Sequence, residues 1–419
     1  MSRVAEAFSP KRNVRALFVR PHDNFAPLDG IRGLFTLWVI AAHCLFAQGI
    51  VPFRAAIDAR PGLRWAFLAH YAIDAFFVMS GFLLAHVLMK ERARTGSIAV
   101  GRFLARRALR ILPAYYLAIA ACALFAPENR DTLLYNVLYV NNFLPALRQF
   151  MLWTWSLAVE EHFYLALPFL LLGLYRTRYF RGPFLVGLFV LAAFVRLILV
   201  DDGGFGVPIV DPLRQSLPIL DALYTKTYSR FGSLVCGVFV AYLWHERPEL
   251  LRGIEGSPRL SAGLAAGSLL CIGVLFAPSA PTDIPYFQFG NTWPDWLLPA
   301  GVALNRYLFA VAFSVLLLLM LGSSRLGRWL GAPLALRVWY PFAQLSYAAY
   351  LFHPLVIRNL PRPGSLDYAA LAWIFVEACV LTYALAFAVH LAVERPCMNL
   401  RAPAATPRAP DGTPRPSLQ

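Results

Sequence analysis

Charge is scarce in this chain. Only 15% of its 419 residues are Asp, Glu, Lys or Arg, while 59% are hydrophobic. Ordinary soluble domains run near a quarter charged, so a free-standing soluble domain is excluded. No signal peptide opens the sequence: residues 1–24, MSRVAEAFSPKRNVRALFVRPHDN, are basic and have neither an apolar core nor a cleavage site. CxxC pairs and paired Cys/His spacings are missing as well. The six cysteines are scattered, mostly inside apolar runs, so neither a disulfide framework nor a metal site is expected. There is no GxSxG, which speaks against a serine-hydrolase elbow. No repeat of fixed period is visible.

What the chain does have is long apolar sequence. FLLLGLY, LFVLAAFV and AVAFSVLLLLMLG approach bilayer-spanning length. Backbone inside lipid must close its own hydrogen bonds, so the expected fold is all-α, a polytopic transmembrane helix bundle. About ten spans are read: 31–50, 67–89, 111–126, 153–175, 183–200, 229–245, 260–277, 298–322, 342–358 and 368–392. The third is short, and a start near Phe103 would lengthen it. On this reading twenty-five Lys and Arg fall on the side of the N-terminus and ten on the other. The positive-inside rule then puts both termini in the cytoplasm. The net charge of +15 reflects Arg-rich cytoplasmic loops, and no nucleic-acid partner is expected. Three regions follow: a basic cytoplasmic tail over 1–27, a transmembrane domain over 28–398, and a Pro/Arg-rich disordered tail over 399–419. No soluble domain is expected after the bundle.

Ionisable residues inside membrane spans are costly and mark functional sites by default. Arg32 and His43 share the first span, in LDGIRGLFTLWVIAAHC. Eleven residues are nearly three whole turns, so both lie on one face, with His43 roughly 16 Å deeper. Span four carries WTWSLAVEEHFYLALP, in which Ser156, Glu160 and Tyr164 share a face at i, i+4 and i+8. His353 of span nine, Glu377 of span ten and Arg196 of span five fall at a depth similar to His43 and Glu160. The five suggest one layer.

The cytoplasmic end differs. In RFLARRALRILPAYY, Arg107 and Arg110 are one turn apart and point to one side. With Arg32 they make a cationic rim suited to phosphates. Two plain readings stand beside these: headgroup anchoring for the arginines, and helix packing for Ser80 and Gly81 in FFVMSG. Arg196 and Glu377 also read as an ion pair that fixes packing.

At these residues the sequence resembles the integral-membrane acyltransferase family 3. Arg32 and His43 reproduce its Arg-x10-His signature. IDAFFVMSGFLL resembles its FFxxSGF element, RRALRILPAYY its Arg-x-x-Arg element at Arg107 and Arg110, and WSLAVEEHFY its WSLxxExxFY element with Glu160 as the acid. SRFGSLVCGVFVAY, LSYAAYLFHPLV and VERP match later elements. His162 stands where Gln is common.

The resemblance implies transfer of an acyl group, usually acetyl, from cytosolic acetyl-CoA or another acyl-CoA to a hydroxyl. The acceptors it implies are envelope glycans or lipid-linked glycans, with macrolide-type metabolites as the alternative. The expected location is the bacterial cytoplasmic membrane. The family's extracytoplasmic SGNH-type extension is not expected here. His43 is expected to act as general base or as a short-lived acyl carrier, with Glu160 holding its tautomer or binding the acceptor and His353 assisting. Arg32, Arg107 and Arg110 are expected on the donor phosphates. A transporter or flippase is the rival class, since intramembrane charges also line ion pathways.

Overall fold

The long apolar runs are helical in the computed structural model, which describes residues 6–21, 25–48, 61–126, 128–176, 180–204, 218–277, 295–362 and 367–400. The helices of nine residues or more are α1 (Pro10–Phe18), α2 (Ala26–Phe46), α3 (His70–Thr95), α4 (Val100–Phe125), α5 (Trp155–Arg176), α6 (Arg181–Asp202), α7 (Thr227–Glu246), α8 (Pro248–Gly256), α9 (Pro258–Phe276), α10 (Leu298–Leu321), α11 (Trp339–Arg358) and α12 (Tyr368–Val389). No strand occurs among the described residues. All of these except α1 and α8 coincide with the spans read from the sequence.

Eight of the helices are long and apolar enough to cross a membrane. The other two long ones, α7 and α11, are more polar, carrying Ser229, Arg230 and Ser233, and Gln344 and His353 respectively. Their polar groups face protein: Ser229, Arg230, Ser233 and His353 are all buried. Residues that lipid would penalise are thus covered by neighbouring helices.

The pairing of α3 with α7 shows why FFVMSG needs small residues. A Cβ on Gly81 would collide with the Leu234 carbonyl, and one on Gly237 with the Val78 carbonyl. The two backbones touch where neither helix has a side chain, the close approach that glycine permits in membrane bundles. Elsewhere α11 packs against α2 and α12, and α6 against α7 and α10.

Helix α4 begins at Val100, earlier than the span read from the sequence. Arg102, Arg106, Arg107 and Arg110 therefore ride on the same continuous helix as Tyr115. At the other end of α4, a polar loop fixes where α5 begins. Asn136 donates to the Thr154 hydroxyl at 2.9 Å, and Tyr115 donates to the Asn136 carbonyl at 3.1 Å. Asn136, Asn141 and Thr154 are fully buried, so these hydrogen bonds offset what would otherwise be a costly burial of polar groups.

The N-terminal segment docks on the bundle. Asn13 is buried and donates to the Ala7 carbonyl at 3.1 Å, while Asn399 donates to the Asn13 side chain at 2.9 Å. Arg20 pairs with Asp29 at 2.8 Å. The tail read as disordered over 399–419 lies outside the described residues apart from its first two positions.

Candidate active site

Two histidines from remote parts of the sequence meet in the bundle. His43 is in the last turn of α2, and His353 is fully buried on α11. Their ring centroids are 4.7 Å apart, edge to face at 76°.

Both rings are held in the same tautomer, each by its own helix. The Nδ1 of His43 is 2.9 Å from the Val39 carbonyl. The Nδ1 of His353 is 2.8 Å from the Tyr350 carbonyl. A carbonyl oxygen only accepts, so in the neutral ring each Nδ1 carries the proton and each Nε2 keeps the lone pair. The sequence explains the second contact. Pro354 has no N–H, so the Tyr350 carbonyl loses its i+4 partner and turns to the His353 ring. The Nε2 of His353 is buried and has no hydrogen-bond partner among the described residues. Leaving a buried acceptor unpaired costs roughly 1–3 kcal/mol, which suits an atom kept for a reacting proton.

Tyr350 ties this pair to α5. Its hydroxyl donates to the Trp153 carbonyl at 2.5 Å. Having spent its only proton there, it accepts from Ser156, whose Oγ is 2.6 Å away. Trp153 in turn donates to the Leu351 carbonyl at 3.2 Å. One turn along α5, Glu160 accepts from Ser80 and from Tyr164, each at 2.7 Å. Both serine hydroxyls are therefore committed as donors, which disfavours either as a nucleophile.

The face of α5 then reaches the arginines. Arg107 lies over the Tyr164 ring, 4.4 Å from its centroid, a cation–π contact. Its Nε is buried without a hydrogen-bond partner among the described residues. Arg32 lies within electrostatic range of Asp29, Arg107, Tyr164 and Glu160. Arg110 sits farther round α4, within range of Tyr340. The site thus has two levels joined by one helix face: His43, His353, Tyr350 and Ser156, then Glu160, Tyr164, Arg107 and Arg32.

Two expectations need correction. Glu160 does not hold the His43 tautomer; the Val39 carbonyl does, and Glu160 belongs with the arginines. Nor do Arg196 and Glu377 pair. Arg196 donates to the carbonyls of Ala303, Leu223, Ser229 and Val302 at 2.5 to 3.2 Å. It rests on α7 and α10, whereas Glu377 is on α12 against α11 and α2, so the two form no ion pair. Which helices pack against which, a thing no single span reveals, accounts for both errors. Sequence reasoning also passed over Tyr350. Its position one turn before a His-Pro pair was the available signal.

Comparison with known proteins decides the family. The profile described as an acyltransferase domain matches residues 25–391. The chain belongs to acyltransferase family 3. Among its relatives, peptidoglycan O-acetyltransferase OatA of Listeria monocytogenes is 26% identical over 366 residues, covering 80% of this chain and 50% of that protein. Nose resistant to fluoxetine protein 6 of Caenorhabditis elegans is 25% identical over 429 residues, covering 88% and 50%. The chain thus spans about half the length of the curated relatives it matches. No solved structure matches it. With its eight apolar helices, this family member is a multi-pass membrane protein.

Proposed function

We propose that this family member transfers an acetyl group from acetyl-CoA, bound at the Arg32–Arg107–Arg110 side, to a hydroxyl of an envelope glycan near the histidine pair. The observation that carries this reading is the His43–His353 pair, with both Nδ1 atoms tied to carbonyls and both Nε2 lone pairs left for chemistry. The named activity of OatA supports the acetyl group and the glycan class. The twenty-five to ten charge bias supports cytoplasmic termini and a cytoplasmic arginine level, and the Listeria relative supports a location in a bacterial cytoplasmic membrane.

In the direct route, Nε2 of His43 takes the proton of the acceptor hydroxyl as its oxygen attacks the thioester carbonyl. The tetrahedral intermediate collapses, the C–S bond breaks, and the thiolate of coenzyme A recovers the proton. In the two-step route, Nε2 of His43 attacks the thioester carbonyl first, the C–S bond breaks to give an acyl-imidazolium, and coenzyme A leaves as the thiolate, to be protonated by water. His353, 4.7 Å away, then serves as base for the acceptor. The guanidinium of Arg107, stacked on Tyr164, suits a phosphate as a planar, permanently charged donor. Glu160 sets the hydroxyls of Ser80 and Tyr164 and offsets the cationic charge between the two levels.

The test uses the full chain in lipid nanodiscs with acetyl-labelled acetyl-CoA and isolated envelope glycans. Alkali-labile label on a glycan is expected. Coenzyme A release that never exceeds the protein-free control, with every glycan offered, would overturn the reading.

A further inference from the structure

A second charged cluster lies apart from the histidines and has too much of one sign. Asp74 of α3, fully buried, pairs with Arg230 of α7 and Arg306 of α10, each at 3.0 Å. Ser233 donates to the same carboxylate at 2.8 Å. Arg196 stands beside them, and all three arginines are at most 3% exposed. Arginine stays protonated in proteins. Three guanidinium groups against one carboxylate leave two positive charges buried among the described residues.

Arg196 is accounted for by its four carbonyls. The other two are not. Aromatic rings cover their faces: Phe77, Trp155 and Tyr224 lie 5.2 to 5.5 Å from Arg230, and Tyr71 and Tyr224 lie 4.6 to 5.7 Å from Arg306. Cation–π contacts act on the face of a guanidinium, but its N–H bonds lie in the plane. Those edges remain open. Nε and Nη1 of Arg230 and Nη2 of Arg306 are buried with no hydrogen-bond partner among the described residues. A cavity of about 10 Å³ borders the cluster, lined by Arg196, Arg306, Asn305 and Tyr224 among others. That is the space of roughly one water-sized particle.

Unpaired buried charge is strongly destabilising. Water would satisfy donors but leave the charge. We infer that the Asp74–Arg230–Arg306 cluster is a receptor for one halide ion, seated in the cavity that Arg306 and Arg196 line and offsetting the surplus positive charge. This inference is independent of the transfer reaction. Arg230 and Trp155 place the cluster beside the start of α5 and therefore within one residue of Ser156, so an anion there sits next to the histidine level without touching it.

The test uses the full chain in detergent, with a bulky sulfonate buffer as the only background anion. Chloride, galacturonate and neutral galactose are the thermal-shift probes. Iodide is the fluorescence probe, because Trp155 lies 5.3 Å from Arg230. A saturable rise in melting midpoint with chloride, and saturable iodide quenching that Trp155→Phe removes, are expected for a free ion. A rise with galacturonate but not with chloride would contradict a site sized for one halide ion. Arg306→Gln should lose either response, though it also strands Asp74. Asn305→Asp avoids that problem by supplying a carboxylate at the cavity. It should melt higher in anion-free buffer and respond to no added anion. An absent response in the parent chain, or an unchanged response in Asn305→Asp, would overturn the site.

Discussion

His43 and His353 face each other edge to face, 4.7 Å between ring centroids, and each gives its Nδ1 proton to a carbonyl of its own helix. The pair is fixed by backbone, with no carboxylate orienting either ring among the described residues. Pro354 is part of that device. An internal proline costs a helix about 3 kcal/mol or more, and here it frees the carbonyl that His353 uses. Pro354→Ala returns an N–H to compete for that carbonyl. It is expected to raise the melting midpoint and lower kcat. A higher midpoint with unchanged kcat would show that the proline does not serve the ring.

The arginine level makes a prediction about the donor. Arg107→Ala should weaken acetyl-CoA binding by roughly 1.5–3 kcal/mol, the range of a hydrogen bond to a charged group. Arg107→Lys should recover little, because lysine lacks the planar fork and stacks poorly on Tyr164. Calorimetric titration of donor into each variant checks this. Equal affinity in the parent and Arg107→Ala would leave headgroup anchoring as the role of that residue.

Close packing of α3 on α7 makes a prediction about stability. Gly81→Ala puts a methyl against the Leu234 carbonyl, and neither backbone can yield easily. Overpacking typically costs about 1–3 kcal/mol, so a clear drop in melting midpoint in detergent is expected. An unchanged midpoint would mean that the two helices are not in contact there.

Orientation rests on charge alone. Reporters fused after Arg181, Arg252 and Arg337 are expected to read cytoplasmic, and reporters near Asp211 and Asp283, which lie outside the described residues, external. An external signal after Arg252 would reverse the assignment of the arginine level to the donor side.

Much of this arrangement was legible in the residues. Apolar runs marked the helices, and the 3.6-residue period put Ser156, Glu160 and Tyr164 on one working face. What was not legible depended on which helices pack against one another. Glu160 read as a partner for His43 because both were assigned similar depths, yet it meets Ser80 of α3 and lies near Arg107 of α4. Arg196 read as a partner for Glu377, but its long side chain reaches the carbonyls at the starts of α7 and α10. Asp74 and Arg306 were passed over, although buried charge in apolar sequence was signal enough.

The central claim is that His43 performs the chemistry at a position the donor reaches but does not need for binding. Its most direct test is acetate transfer by folded His43→Ala at saturating acetyl-CoA, beside Ser156→Ala. Loss of a proton-transfer base typically costs about 10²–10⁴-fold, so His43→Ala is expected to fall at least that far with donor affinity intact. Ser156→Ala, which removes only a hydrogen bond to Tyr350, should stay within about tenfold of the parent, as loss of one ordinary hydrogen bond allows. Near-parent transfer by His43→Ala, from protein that binds acetyl-CoA normally, would contradict the account.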